Sequence, residues 1–228
     1  MLYRTIVPAA LLSIAGCSAG VESELPVVGV VHAVTLASDD FSTSADVPDE
    51  LVPHMVEIEA RFERGELVAD GPLGDDAWVY LYDADRIVPQ LILEEDPAVR
   101  DQLLEPVGQD DWVLYFEAFQ TSLRGRQAFI IDYAPGEEYE YDEEFFEQDG
   151  AEHHLEFYSA NYIAGAIWAG GTIGADRARY ILLADSEEEA RDLAEADRMV
   201  RKRTVTVSVA PWGPPSHRRS LSDERPVR

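Results

Sequence analysis

The chain has 228 residues, with 45 Asp and Glu against 18 Lys and Arg, and a formal net charge of −27. That balance repels nucleic acid and anionic lipid headgroups, so neither is an expected partner. The single cysteine, Cys17, excludes an intrachain disulfide and thiol chemistry in the mature domain, whose length allows one large domain or two of about 100 residues.

Residues 1–16 read as a signal peptide: Arg4 supplies a positive start, and the apolar run after it is too short to span a bilayer. Ile14-Ala15-Gly16-Cys17 resembles a bacterial lipobox, which implies lipidation of Cys17 as the first mature residue. An ordinary cleaved signal with an incidental cysteine is the alternative. The expected location is extracytoplasmic, lipid-anchored to a bacterial membrane on the periplasmic side or cell surface. Residues 17–26 form a tether.

Residues 27–37 are rich in β-branched side chains and predict a buried strand. A helix is predicted over residues 48–64, with Leu51, Met55, Ile58 and Phe62 at helical spacing and Gly65 as its stop. A short strand over 66–69 is expected to end in a turn at Gly71-Pro72-Leu73-Gly74. A strand over 77–82, a short helix over 88–95 with Pro89 in its first turn, and a strand over 111–119 complete the first unit. The second unit opens with a strand over 127–133 and a long acidic loop over 134–150. A helix over 151–164 carries Leu155, Tyr158 and Tyr162, and Gly165 stops it. Strands over 166–169 and 178–184 follow, then a helix from the capping pattern Ser186/Glu189 through Met199. The alternation of residues 203–210 predicts the last strand, and the Pro-, Ser- and Arg-rich residues 213–228 a disordered tail.

The order is a repeat. At an offset of one hundred residues His54 matches His154, and Gly65, Gly71 and Gly74 match Gly165, Gly171 and Gly174. Ala60/Ala160, Ala69/Ala169 and Tyr80/Tyr180 keep the same register. The expected units are residues 27–120 and 121–212, each β-α-β-β-α-β. That is the ferredoxin-like order, and a sheet covered by helices on one side leaves its other face to be buried. The predicted fold class is α+β, two ferredoxin-like units packed as an intramolecular dimeric α+β barrel. The chain would then be a monomer acting as a pseudo-dimer.

The residues that carry the repeat also carry a resemblance. The first unit shows Pro53-His54-Met55, Gly65-Glu66-Leu67, Gly71-Pro72-Leu73 and Asp96-Pro97. The second shows His154-Leu155, Gly165-Ala166-Ile167 and Ala196-Asp197, and ends Val209-Ala210-Pro211-Trp212. This pattern resembles the YciI-like (YCII-related) family over about residues 27–212. The resemblance implies small domains paired into a dimeric α+β barrel, with a His-Asp pair in the cleft as the suspected active site. One related activity removes chloride from a chlorinated hydroxyhydroquinone, and more distant relatives isomerise lactones. The implied catalytic pairs are His54 with Asp96 and His154 with Asp197. The sequence departs from the pattern where Arg198 and Thr172 replace prolines and where Pro89 enters a helix.

A histidine at the edge of a buried face, with a carboxylate beside it, can transfer protons to and from a small phenol, lactone or enol. The same histidine can instead hydrogen-bond the opposite strand for structure alone. Two functions therefore stay open: an acid-base catalyst of elimination or isomerisation on a small organic molecule, and a non-catalytic small-molecule-binding or scaffold lipoprotein. No metal is expected, because adjacent His153 and His154 face different ways on a helix and neither unit offers a set of three or four ligands. No cofactor is expected, because the glycines match neither a P-loop nor a dinucleotide fingerprint. They read as turn devices. Trp112, Trp168 and Trp212 read as core.

Overall fold

The structure is a computed structural model that describes residues 26–38, 48–75, 77–119, 122–123, 125–213, 218 and 221. Cys17, the signal peptide and most of the tether lie outside the described residues. Eight strands and six α-helices are described: β1 (Gly29–Ala37), α1 (Val52–Glu63), β2 (Leu67–Leu73), β3 (Ala77–Asp83), α2 (Pro89–Glu95), α3 (Pro97–Arg100) and β4 (Glu105–Glu117), then β5 (Gln127–Pro135), α4 (Ala151–Ile163), β6 (Ile167–Ile173), β7 (Arg177–Ala184), α5 (Glu187–Glu195), α6 (Arg198–Arg201) and β8 (Val205–Trp212). All strand pairs are antiparallel, and the sheet closes into a barrel in the order β1-β3-β2-β8-β5-β7-β6-β4.

Closure follows from strand periodicity. Successive residues on a strand point to opposite faces. On β3, Val79 and Leu81 join one apolar cluster, to which all eight strands contribute, while Trp78, Tyr80 and Tyr82 face the layer under α1 and α2. On β7, Ile181 and Leu183 point inward, and Ala178, Tyr180 and Leu182 point to the layer under α4 and α5. The barrel therefore has a packed interior and two outer helix-on-sheet layers. A sheet buried on both faces cannot leave one of them polar, which is why β3 and β7 are almost continuously apolar or aromatic.

The two seams between the first four strands and the last four are unequal. Strand β4 pairs with β6 from Trp112↔Ile173 to Glu117↔Ala169, whereas β2 pairs with β8 only at Leu73↔Trp212. Two backbone hydrogen bonds flank that single pair, Gly74 N to Pro211 O at 3.2 Å and Gly213 N to Pro72 O at 2.9 Å.

Several expectations change. Gly71 and Pro72 lie inside β2 rather than in a turn, and the turn sits at Gly74, with φ +64°. Gly171 likewise lies in β6, where a Cβ would come within 1.8 Å of Val113 O across the β4 seam, so its requirement is close approach rather than turning. The helix expected to run through Met199 breaks at Asp197, whose backbone is extended (φ −58°, ψ 139°). Of the Ser186/Glu189 capping pattern, Ser186 Oγ accepts from Glu189 N, but the Glu189 carboxylate accepts from Asp185 N. The acidic loop is anchored by buried Tyr139, Phe145 and Gln148. The tail expected to be disordered packs on the barrel at its described residues: Leu221 is buried in the barrel interior, and the Arg218 guanidinium lies 5.0 Å from the Trp168 ring centroid. Among the described residues no helix is long and apolar enough to cross a membrane.

Candidate functional site

The buried stripe of α1 is not the one that hydrophobicity picks out. His54, Ile58 and Arg61 are its buried residues, and Leu51, Met55 and Phe62 flank them. In α4 the buried residues are Ala151, His154 and Tyr158. Both histidines therefore point from the first turn of a helix directly onto the sheet.

There each meets two partners. His54 Nδ1 lies 2.8 Å from Asp96 Oδ2, and His54 Nε2 lies 2.7 Å from the Tyr80 hydroxyl. His154 Nδ1 lies 2.5 Å from Asp197 Oδ2, and His154 Nε2 lies 2.8 Å from the Tyr180 hydroxyl. The other oxygen of each carboxylate is also engaged. Asp96 Oδ1 accepts from Ala98 N at 2.9 Å and Val99 N at 3.2 Å, and Asp197 Oδ1 accepts from Met199 N at 2.8 Å. Each aspartate is thus the N-cap of a short helix, α3 or α6, and the hydrogen-bond partner of a histidine on another helix. An ionised carboxylate only accepts, so Nδ1 donates to it; in the neutral ring Nε2 is then the acceptor for the tyrosine O–H. The order is Tyr→His→Asp→helix backbone in both places.

These groups are sealed. His54 is 1% exposed, Asp96 2%, Tyr80 2%, His154 0%, Asp197 1% and Tyr180 0%. The structure brings together both sequence-predicted pairs, His54 with Asp96 and His154 with Asp197, but sealed in the layer between helix and sheet and not in a cleft. Burial pushes both phenols well above the ordinary range, first by desolvation. For Tyr80 the charges of Tyr82, Asp70 and Asp96 add to it, and for Tyr180 those of Tyr158, Asp197 and Tyr115.

The two sites differ in their surroundings. His154 is enclosed by aromatic rings, with Tyr133, Phe145, Tyr158 and Tyr180 centroids at 5.2, 5.3, 4.7 and 5.3 Å. Tyr158 stacks on Tyr180 at 3.7 Å, and the Tyr133 and Tyr158 hydroxyls share a short hydrogen bond. His54 meets the edge of the Tyr80 ring, which in turn stacks with Trp78 and Tyr82 along β3. Arg61, also fully buried, sits 5.9 Å from the Tyr82 ring centroid and pairs with Glu57 and Glu95.

Sequence reasoning missed Tyr80 and Tyr180. The available signal was their matching place in the repeat, but nothing in strand alternation distinguishes a core phenol from a hydrogen-bonding one. It also missed His32, whose Nδ1 lies 2.6 Å from Oδ1 of the exposed Asp111. His153 is apart from the sites and faces solvent, where Arg198 Nη1 donates to its Nε2 at 2.6 Å. Among the described residues, no three or more His, Cys, Asp or Glu side chains are grouped to hold a metal ion.

The fold defined by these strands and helices is an α+β barrel. No family model and no curated protein matches the sequence. Among solved structures, a mutant chlorite dismutase from Candidatus Nitrospira defluvii is similar with a TM-score of 0.50 at 14% identity, covering 83% of this chain and 92% of that one. A second mutant of that enzyme, in complex with cyanide, gives 0.49 at 14% identity over 82% and 92% of the two chains. An anthrone oxidase-like protein gives 0.40 at 8% identity over 83% and 95%. At these identities the likeness concerns the fold alone.

Proposed function

We propose that the chain is an extracytoplasmic lipoprotein, anchored through Cys17, in which two YciI-like, ferredoxin-like units form one intramolecular barrel that binds or scaffolds without catalysing turnover. The observation that carries this reading is the complete internal engagement of both His-Asp pairs. Each histidine has a partner at both nitrogens, each aspartate at both oxygens, and all are at most 2% exposed. A general base must reach the proton that it removes. These histidines reach only a tyrosine. Their task is to hold α1 and α4 on the sheet and to tie them to Asp96 and Asp197, which start α3 and α6. The repeated element order and the strand orders β4-β1-β3-β2 and β6-β7-β5-β8 support the two-unit reading.

The catalytic reading retains one supporting observation. The same carboxylate, imidazole and phenol recur in the same order twice, and such a row can pass a proton. A small-molecule thermal-shift screen on the mature chain with its anchor cysteine replaced by serine separates the two readings. A binding protein gives ligands whose stabilisation survives His54→Gln and His154→Gln, with no product formed. A phenol or lactone that is turned over by the parent and not by the folded double variant would reverse the assignment.

A further inference from the structure

Trp78 and Tyr80 lie on one face of β3 with ring centroids 6.4 Å apart and planes 25° from parallel. Trp78 is half-buried and Tyr80 is sealed. An indole or a phenol that gives up an electron also sheds its N–H or O–H proton, and each of these rings faces a built acceptor. Trp78 Nε1 donates to Asp70 Oδ2 at 3.1 Å, and Asp70 is fully buried. The Tyr80 hydroxyl donates to His54 Nε2 at 2.7 Å, with Asp96 behind the imidazole. Simple ionisation of Tyr80 is opposed by burial and by the neighbouring negative charges. Loss of an electron and a proton together escapes that penalty, because the ring stays neutral and the proton remains beside Asp96.

We infer that Trp78, Tyr80, His54 and Asp96 form a one-electron, one-proton donor site that reduces a diffusible one-electron oxidant arriving at Trp78 and keeps the resulting radical on Tyr80. The oxidant, an outer-sphere metal complex or an oxygen-centred radical, gains one electron. Trp78 supplies it and is refilled from Tyr80. The Tyr80 O–H bond breaks, and an N–H bond forms at His54 Nε2. The imidazolium so produced is held by the Asp96 carboxylate. One electron from a reductant of the same class reverses every step. This role goes beyond holding the fold, and the two fail separately, since one is read from radicals and the other from turnover and unfolding.

The repeat supplies an internal control. Ala178 and Gly170 stand where Trp78 and Asp70 stand in the first copy. Tyr180 has the same imidazole and carboxylate, but no indole beside it, and its stacked neighbour Tyr158 is itself fully buried. The second site has the acceptor without the entry.

The test is flash oxidation of the whole mature chain by photogenerated ruthenium(III) tris-bipyridine, followed by transient absorption and EPR. The expected result is a neutral tyrosyl radical that Tyr80→Phe abolishes and Tyr180→Phe leaves, with formation slower in deuterated water. Trp78→Phe is expected to lose the fast phase of its formation. A tyrosyl signal that persists in folded Tyr80→Phe overturns the inference, as does one lost in Tyr141→Phe, which removes an exposed ring, or one formed at an unchanged rate in Trp78→Phe. If Tyr80→Phe does not fold, the Trp78→Phe and Tyr141→Phe results decide alone, because neither ring is sealed.

Discussion

Arg198 stands where Pro97 stands, immediately after an N-capping aspartate, and the chain breaks in the same way at both. The Asp96 backbone is at φ −66°, ψ 120° and that of Asp197 at φ −58°, ψ 139°. Proline at the first helical position forces its predecessor into the extended region. Arg198 exerts no such force, so at Asp197 the side-chain bonds to His154 and Met199 hold the break. Arg198→Pro should therefore be accommodated without strain and should stabilise the protein by about 0.4–1 kcal/mol through the unfolded chain. A lower urea midpoint in that variant would show that Asp197 needs freedom that proline removes.

His54→Ala leaves a phenol and a carboxylate oxygen buried without their partner, and His154→Ala does the same in the second layer. Each change should cost about 3 kcal/mol, as expected when one member of a buried hydrogen-bonded pair is removed. Urea unfolding with an unchanged slope is the measurement. A loss below about 0.5 kcal/mol, the range of surface substitutions, would remove the fold-holding role.

Alkaline pH should unfold the protein cooperatively. Tyr80, Tyr82, Tyr133, Tyr158 and Tyr180 are all pushed up by burial, so the folded chain keeps protons that the unfolded chain releases. Their contribution is fully present below the unfolded value, about pH 10, and is lost as pH rises above it. Phenolate absorbance from these rings should appear together with the loss of far-UV dichroism. Phenolates that appear while the dichroism stays intact would show that these rings are open to solvent.

Two glycines of the same motif should fail for different reasons. Gly171→Ala drives a methyl into the β4 backbone and should cost about 3 kcal/mol or more, because neither strand can withdraw without opening its seam. Gly174→Ala meets nothing within 4 Å but must hold φ near +62°, a cost of about 1 kcal/mol. Thermal unfolding of the two variants gives the comparison, and equal losses would contradict it.

Cys17→Ala should release the protein from the membrane fraction, if the lipobox resemblance is functional. Retention of that variant in washed membranes would remove the proposed anchor.

Much of the fold could be read from residues. The apolar run of β7 reports its burial directly, and of the helically spaced apolar residues Ile58 and Tyr158 are the ones that are buried. The pairing of His54 with Asp96, and of His154 with Asp197, came through a resemblance and not through spacing, since 42 and 43 residues separate the partners. Burial of those pairs was not legible, because a hydrophobicity pattern places His and Arg outside, and here hydrogen bonds carry His54 and His154 into the layer. The full length of β4 was also hidden. Residues 105–111 are mostly exposed and polar, so their strand conformation comes from the backbone ladder with β1 rather than from an apolar face.

The unequal seams have a consequence for how such a barrel is held shut. Two identical chains related by a twofold axis would have to make both seams alike, and each would have to be strong enough to hold a dimer together. Here one chain runs through both halves, so the second half is always present at high effective concentration beside the first. Closure then needs only one well-formed seam, that of β4 with β6. The other, reduced to Leu73 opposite Trp212, is relieved of that duty and is free to diverge, and the chain beyond it touches the same strand again where Arg218 bridges Ala69.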